Sequence, residues 1–237
     1  MHALERALRK EASPEKARIL QRFFRTGPGQ YGEGDVFLGV MVPETRAIAK
    51  RFPDLPLPAL AALLQSPLHE VRLAALLVLG DQFSRAPERK RGQLTRFYLQ
   101  HRARVNNWDL VDLSAPAILG RWLVEHPQQQ DTLDRLACSP RLWDRRIAIV
   151  ATLALIRAGR HEPTLRLCRL LLRDRQDLVH KACGWMLREV GKRDLQALRG
   201  FLDQEAGRMP RTMLRYAIER LPEQERRRHL RQGAARD

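Results

Sequence analysis

One carboxylate stands where the chain's own pattern calls for an apolar group. Four segments can be laid over one another: VRLAAL at 71–76, WDLVDL at 108–113, RRIAIV at 145–150 and HKACGW at 180–185. From the third position to the sixth they carry apolar or small residues, with one exception. At the fifth position Ala75, Ile149 and Gly184 correspond to Asp112. A carboxylate in such a slot costs stability unless it is paired, and breaks in local consistency tend to mark functional sites. Two readings follow: an Asp satisfied by a neighbouring Arg or a helix N-terminus, or a fixed anion with a chemical task. Trp108 lies four residues earlier, about 40° away around a helix, hence on the same face. Together they suggest a Trp and a carboxylate displayed near a helix start. Pro116, four residues after Asp112, should kink or loosen the helix there. Asn106 and Asn107 are candidate caps for its start.

The second position of each segment reads Arg72, Asp109, Arg146, Lys181. Stacked units would align the three cations into a basic ladder along one edge. For Arg72 and Lys181 ordinary solvated charges are the plainer alternative. Trp185 takes the large apolar slot of its unit, where core packing competes with a functional role, and Trp122 and Trp143 read as core. The histidines show no HExxH or other ligand spacing, and no Ser/His/Asp or Cys/His set can be assembled. The segment TGPGQYGEGD at 26–35 must be a loop, and without a GK[ST] ending it is not a P-loop. It reads either as a connector between helices or as a backbone loop near DNA phosphates.

These residues need elements to position them, and strand signals are almost absent. Pro sits at or just before many candidate helix starts: Pro14, Pro43, Pro58, Pro87, Pro127, Pro140, Pro210 and Pro222 each precede a helix-forming stretch. The aligned second positions are 37, 37 and 35 residues apart. A period near 37 with two helices per unit is close to HEAT-type repeats, so the expected fold is an all-α, curved α-solenoid with a basic concave face. The repeats run from about 40 to 220, and a single domain over 1–237 is expected. With 237 residues, 44% hydrophobic, the chain has room for a sizeable core. A formal net charge of +16 and a pI of about 11.1 point to a polyanionic partner. The run RRRHLR at 226–231 is a solvated helix end that adds non-specific attraction to phosphate at most. Cys138, Cys168 and Cys183 form no CxxC pair and no even disulfide set, which fits a reducing compartment. MHALERALRK has no apolar signal region and no run approaches a membrane span, so a cytoplasmic protein is expected.

The stretches NNWDLVDLSAPAILG, LWDRRIAIVAT and HKACGWMLREVGKRD, with FLGVMVPETR upstream, resemble the AlkD-type DNA glycosylases of bacterial alkylation repair. The likeness runs from about 15 to 220, with Trp-x-x-x-Asp, Leu-Trp-x-x-Arg and Gly-Trp-x-Leu-Arg-Glu in order. It implies a solenoid of HEAT-like repeats whose basic concave face holds duplex DNA near the nucleoid. Asp112 then matches the catalytic carboxylate. Trp108 and Trp185 match the tryptophans that pack on the damaged nucleotide's deoxyribose, and Arg146 matches the arginine beside its backbone. Lys181, Arg72 and Arg188 complete the implied DNA-binding set. Where family members can carry a tyrosine in the first long helix, this chain has Phe23. The implied substrates are purines alkylated at N3 or N7 in double-stranded DNA. The base is released by a monomer without metal or cofactor, and without entering a pocket. The alternative is a non-catalytic HEAT-repeat protein that binds branched or distorted DNA.

Overall fold

The computed structural model describes residues 1–234, so the last three residues of the basic C-terminal end lie outside the described residues. Every regular element among the described residues is helical, as expected of an all-α fold. Two segments form an isolated parallel bridge, Val36 with Leu68. No helix among the described residues is long and apolar enough to cross a membrane. The chain divides into two compact units, 1–118 and 119–237.

The first unit contains α1 (Ala3–Lys10), α2 (Pro14–Phe23), α3 (Val42–Ala49), α4 (Leu57–Leu64), α5 (His69–Arg85), α6 (Glu88–Gln100) and α7 (Trp108–Ser114). Its centre is α5, which packs on α1, α3, α4, α6 and α7. The run from Val71 to Leu76 is buried throughout, Arg72 included. Proline sets the starts. Pro14 is the first residue of α2, Pro43 and Pro58 are second in α3 and α4, and Pro87 caps α6. These are the positions where the missing N–H costs nothing.

The second unit contains α8 (Arg121–Glu125), α9 (Asp131–Ala137), α10 (Leu142–Arg157), α11 (Glu162–Leu170), α12 (Asp177–Gly191), α13 (Leu195–Glu205), α14 (Arg211–Ala217) and α15 (Glu223–Ala234). Here α10 packs on α8, α9, α11 and α12, and α12 packs in turn on α11, α13 and α14. Residues Ile147 to Ile156 of α10 are all buried, at about 2 kcal/mol for each large aliphatic side chain taken from water. A Cβ on Gly184 would lie 2.4 Å from the Met213 carbonyl oxygen, so only glycine lets α14 approach α12 so closely.

The four aligned segments fall on α5, α7, α10 and α12. Within each unit the two helices that carry them pack against each other, α5 on α7 and α10 on α12. That is nearest-neighbour stacking of repeats. Past α7 the backbone turns π-helical over Pro116–Gly120, the loosening expected from a proline four residues after Asp112. Trp122 and Trp143 differ from expectation. Both are half-buried. The Trp122 indole stacks on His126, centroids 3.5 Å apart, and its Nε1 donates to Gln129 at 2.9 Å, so a surface stack replaces the expected core contact.

Candidate functional site: a carboxylate and an indole over a buried polar relay

Asp112 and Trp108 share one face of α7 and line one cavity of about 340 Å³ in the first unit. Asp112 is half-buried, whereas Ala75, Ile149 and Gly184 at the equivalent slots are fully buried. The carboxylate therefore sits at the edge of the apolar layer, not inside it. The cavity walls are apolar: Leu20 and Phe23 from α2, Phe37 and Met41 from the chain leading into α3, Val42 from its first turn, Leu73 from α5 and Leu113 from α7. Phe23 is 62% exposed and meets the Trp108 indole edge-on, centroids 5.9 Å apart. Trp108 also stacks on Phe24 at 5.1 Å, Phe24 on Phe37 at 5.0 Å, and Phe37 on the His69 ring at 4.5 Å.

Beneath this stack lies a polar network. Asp35, at the end of the Gly-rich loop, accepts from Arg72 Nη2 at 2.5 Å, from Asn107 Nδ2 at 2.9 Å and from His69 Nδ1 at 3.1 Å. His69 Nε2 reaches Asp109 Oδ2 at 2.7 Å. An imidazole between two carboxylates must donate from both nitrogens, hence carry a proton on each. Burial opposes that charge, but Asp109 and Asp35 outweigh it and raise the His69 pKa from 6.5 to about 9. Burial also pushes the Asp35 carboxyl up. Its hydrogen bond from His69, the Arg72 charge and the Asn107 amide override this and hold it below the usual range. Asn107 is the N-cap of α7: its Oδ1 accepts from the Trp108 N–H at 2.8 Å. Glu70, also buried, accepts from the backbone N–H groups of Leu38, Gly39 and Val40.

Arg72 is thus no rung of a solvent-facing ladder. It is 1% exposed, and its Nη1 donates to the Ser66 and Pro67 carbonyls. The loop that ends in Asp35 covers it and supplies its counter-charge. Arg146 is likewise buried at 5%, with Nη1 donating to the Leu178 carbonyl. Lys181 pairs with Asp177 one turn back at 2.8 Å and Arg188 pairs with Glu219. Trp185 is half-buried, and its Nε1 donates to Glu189 at 3.2 Å. These four residues belong to the second unit, on α10 and α12. Sequence reasoning did not find Asp35 and His69. The one signal for them was Asp109, a negative charge at a position where the other units carry cations. The Gly-rich loop is a folded turn cluster: Gly29 N–H donates to Glu33, Gly27 N–H to Gln30, and Gly32 packs where a Cβ would strike the Phe24 carbonyl at 2.4 Å. Among the described residues no three His, Cys, Asp or Glu side chains converge as metal ligands would.

No curated protein matches the chain. Among solved structures, a predicted DNA alkylation repair enzyme from Enterococcus faecalis superposes with a TM-score of 0.70 at 18% identity, covering 90% of this chain and 97% of that one. AlkD2 from Streptococcus mutans gives a TM-score of 0.50 at 16% identity, covering 98% and 95%. At such identities the likeness shows a shared fold. The family model described as DNA alkylation repair enzyme matches residues 4–221, nearly the whole chain. On that match the chain belongs to the DNA alkylation repair enzyme family.

Proposed function

We propose that the protein is a monofunctional DNA glycosylase that hydrolyses the N-glycosidic bond of cationic N3- or N7-alkylated purines in duplex DNA. The observation that carries this reading is the half-buried Asp112 beside the Trp108 indole. A base alkylated at N3 or N7 already bears positive charge and departs with the bonding electron pair as a neutral molecule, so no general acid is required. The sugar left behind is oxocarbenium-like. Asp112 stabilises that cation and orients the water that attacks C1′; as the new C–O bond forms, the carboxylate takes the proton the water gives up and returns it to solvent. Trp108 offers its electron-rich face to the same charge.

The base need not leave the helix. Enzymes that flip a base read its edge with hydrogen bonds, but the cavity beside Asp112 is walled by apolar side chains. Its inner polar groups, His69, Glu70 and Asp109, are already engaged within the protein. Trp185, Arg146, Lys181 and Arg188 enter the proposal through the family resemblance, as a second indole and as DNA-contacting cations. Arg72 does not, because its guanidinium is committed to Asp35 and to the Ser66 and Pro67 carbonyls.

The test is single-turnover release of N7-methylguanine and N3-methyladenine from duplex DNA by the wild type and by Asp112→Asn, which keeps the shape and removes the charge. The expected result is excision by the wild type and a rate loss on the order of 10²-fold in the variant, with the fold intact. Trp108→Ala should lose less. A folded Asp112→Asn protein that excises at the wild-type rate overturns the assignment. A wild type that binds duplex DNA and releases no base leaves the non-catalytic binding protein.

A further inference from the structure

The seven residues of α7 run on into the π-helical turn at Pro116, and the helix is held at both ends: Tyr98 meets its last residue, Ser114, at 3.1 Å, and polar side chains fix its first turn. That turn is anchored by residues far away in sequence. Asn107 reaches Asp35 across 72 positions, and Asp109 reaches His69 across 40. Asp35 is fixed in turn, because the bridge between Val36 and Leu68 ties the end of the Gly-rich loop to the start of α5: Val36 N–H donates to the Pro67 carbonyl and His69 N–H to Val36. The same His69 ring begins the aromatic stack that ends on the Trp108 indole. It therefore reaches the reacting turn by two routes, one polar and one apolar.

Burying two carboxylates, a guanidinium and an imidazolium is a poor way to gain stability, since apolar side chains of similar volume serve as well or better. What such a network supplies is fixed geometry. We propose that the buried Asp35–His69–Asp109 relay is a positioning device that sets the register at which α7 presents Trp108 and Asp112 to the damaged nucleotide. This rests on the glycosylase reading of Asp112. Asp109 lies three residues before Asp112, on the same side of the helix, so a shift of Asp109 is passed to Asp112 through less than one turn.

The charge state matters to the relay. Facing His69 are Asp35 from the loop and Asp109 from α7. Arg72 stands one turn along α5 and feels Arg104 from the short 3-10 turn that follows α6. Glu70 is directed to the Leu38, Gly39 and Val40 amides, and Asp112 lines the same cavity. With His69 protonated, the two carboxylates Asp35 and Asp109 are balanced by Arg72 and His69. Loss of the His69 proton leaves one buried negative charge uncompensated and removes one of the two hydrogen bonds.

The test uses the full chain with ¹⁵N labelling. The His69 ring nitrogens and the Trp108 indole N–H, assigned with Trp108→Phe, are followed from about pH 6 to about pH 10. The indole signal is expected to move with the same midpoint as the His69 ring, near 9, and to lose that dependence in His69→Gln. On a duplex with one N7-methylguanine, His69→Gln should bind within about two-fold of wild type and excise at least roughly ten-fold more slowly. Asp109→Asn should do the same, and the double variant should be little worse than the worse single one. An indole signal indifferent to His69 titration, or a folded His69→Gln protein excising at the wild-type rate, overturns the proposal. If the wild type excises nothing, the glycosylase reading fails, and the indole titration, which needs no turnover, still decides whether His69 sets the position of Trp108.

Discussion

The charge on His69 should make stability fall with rising pH, in a window the structure defines. In the unfolded chain the ring titrates near 6.5, whereas between Asp35 and Asp109 it holds its proton to about 9. Below 6.5 both states are protonated and the full contribution is present. Between the two values the unfolded state has lost the proton and the folded state retains it, so each pH unit removes about 1.4 kcal/mol. The gap corresponds to a loss on the order of 3 kcal/mol. For a chain of this length that is a fall in Tm of roughly 10 °C. Other groups titrate in the same range, so the quantity to measure is the Tm of wild type minus that of His69→Gln, by circular dichroism, at pH values spanning 6.5 to 9. The difference should shrink as pH rises and level off above 9. A difference that stays constant across the window would falsify the doubly protonated ring. Asp35 has the opposite sign: its lowered pKa contributes stability above the usual carboxylate range that is lost as pH falls through its folded value.

Duplex affinity should fall linearly in log–log form with salt, by about 0.9 for each phosphate neutralised. Arg146→Ala should flatten that slope by about one contact if its guanidinium reaches DNA; an unchanged slope with a lowered Tm would assign Arg146 to contacts within the fold, its bond to the Leu178 carbonyl among them. Excision should be confined to bases that leave without protonation, so uracil in the same duplex should persist while N3-methyladenine is released. Efficient uracil release would require a general acid and would refute the mechanism.

The prolines marked many of the helix starts, because a proline at a helix start acts through local geometry alone, and the repeat register marked α5, α7, α10 and α12; α1, α8 and α13 begin at neither signal. They were also enough to single out Asp112, because the chain supplies its own controls in Ala75, Ile149 and Gly184. The surroundings were less legible. Arg72 and Arg146 read as edge cations because an arginine in a helix is solvated by default. Their burial depends on what covers them: a loop ending in Asp35 for one, a carbonyl at Leu178 for the other. Such pairings join residues more than 30 positions apart and follow no helical period. Lys181, at the same register position, meets Asp177 on its own helix, as a surface lysine would. One register position therefore holds two buried cations, one buried anion and one surface lysine. The anion, Asp109, was the exposed clue, since it changes sign where Arg72 and His69 bring positive charge.

The same reasoning explains how an anion persists in a protein with 43 Lys and Arg against 27 Asp and Glu. On the glycosylase reading Asp112 faces a partner that is itself a polyanion, so its charge opposes binding wherever the DNA lies close. The cationic surplus of the chain offsets that repulsion. An Asp kept only as a paired structural residue would show the loss of its charge as lowered stability, with activity falling only as the fold does. A residue that stabilises an oxocarbenium ion must keep its charge, because the interaction strengthens only as positive charge develops on the sugar. The two roles move affinity and rate in opposite directions. Neutralising Asp112 should leave binding unchanged or slightly tighter while the chemical step slows, a combination that general damage to the fold does not produce.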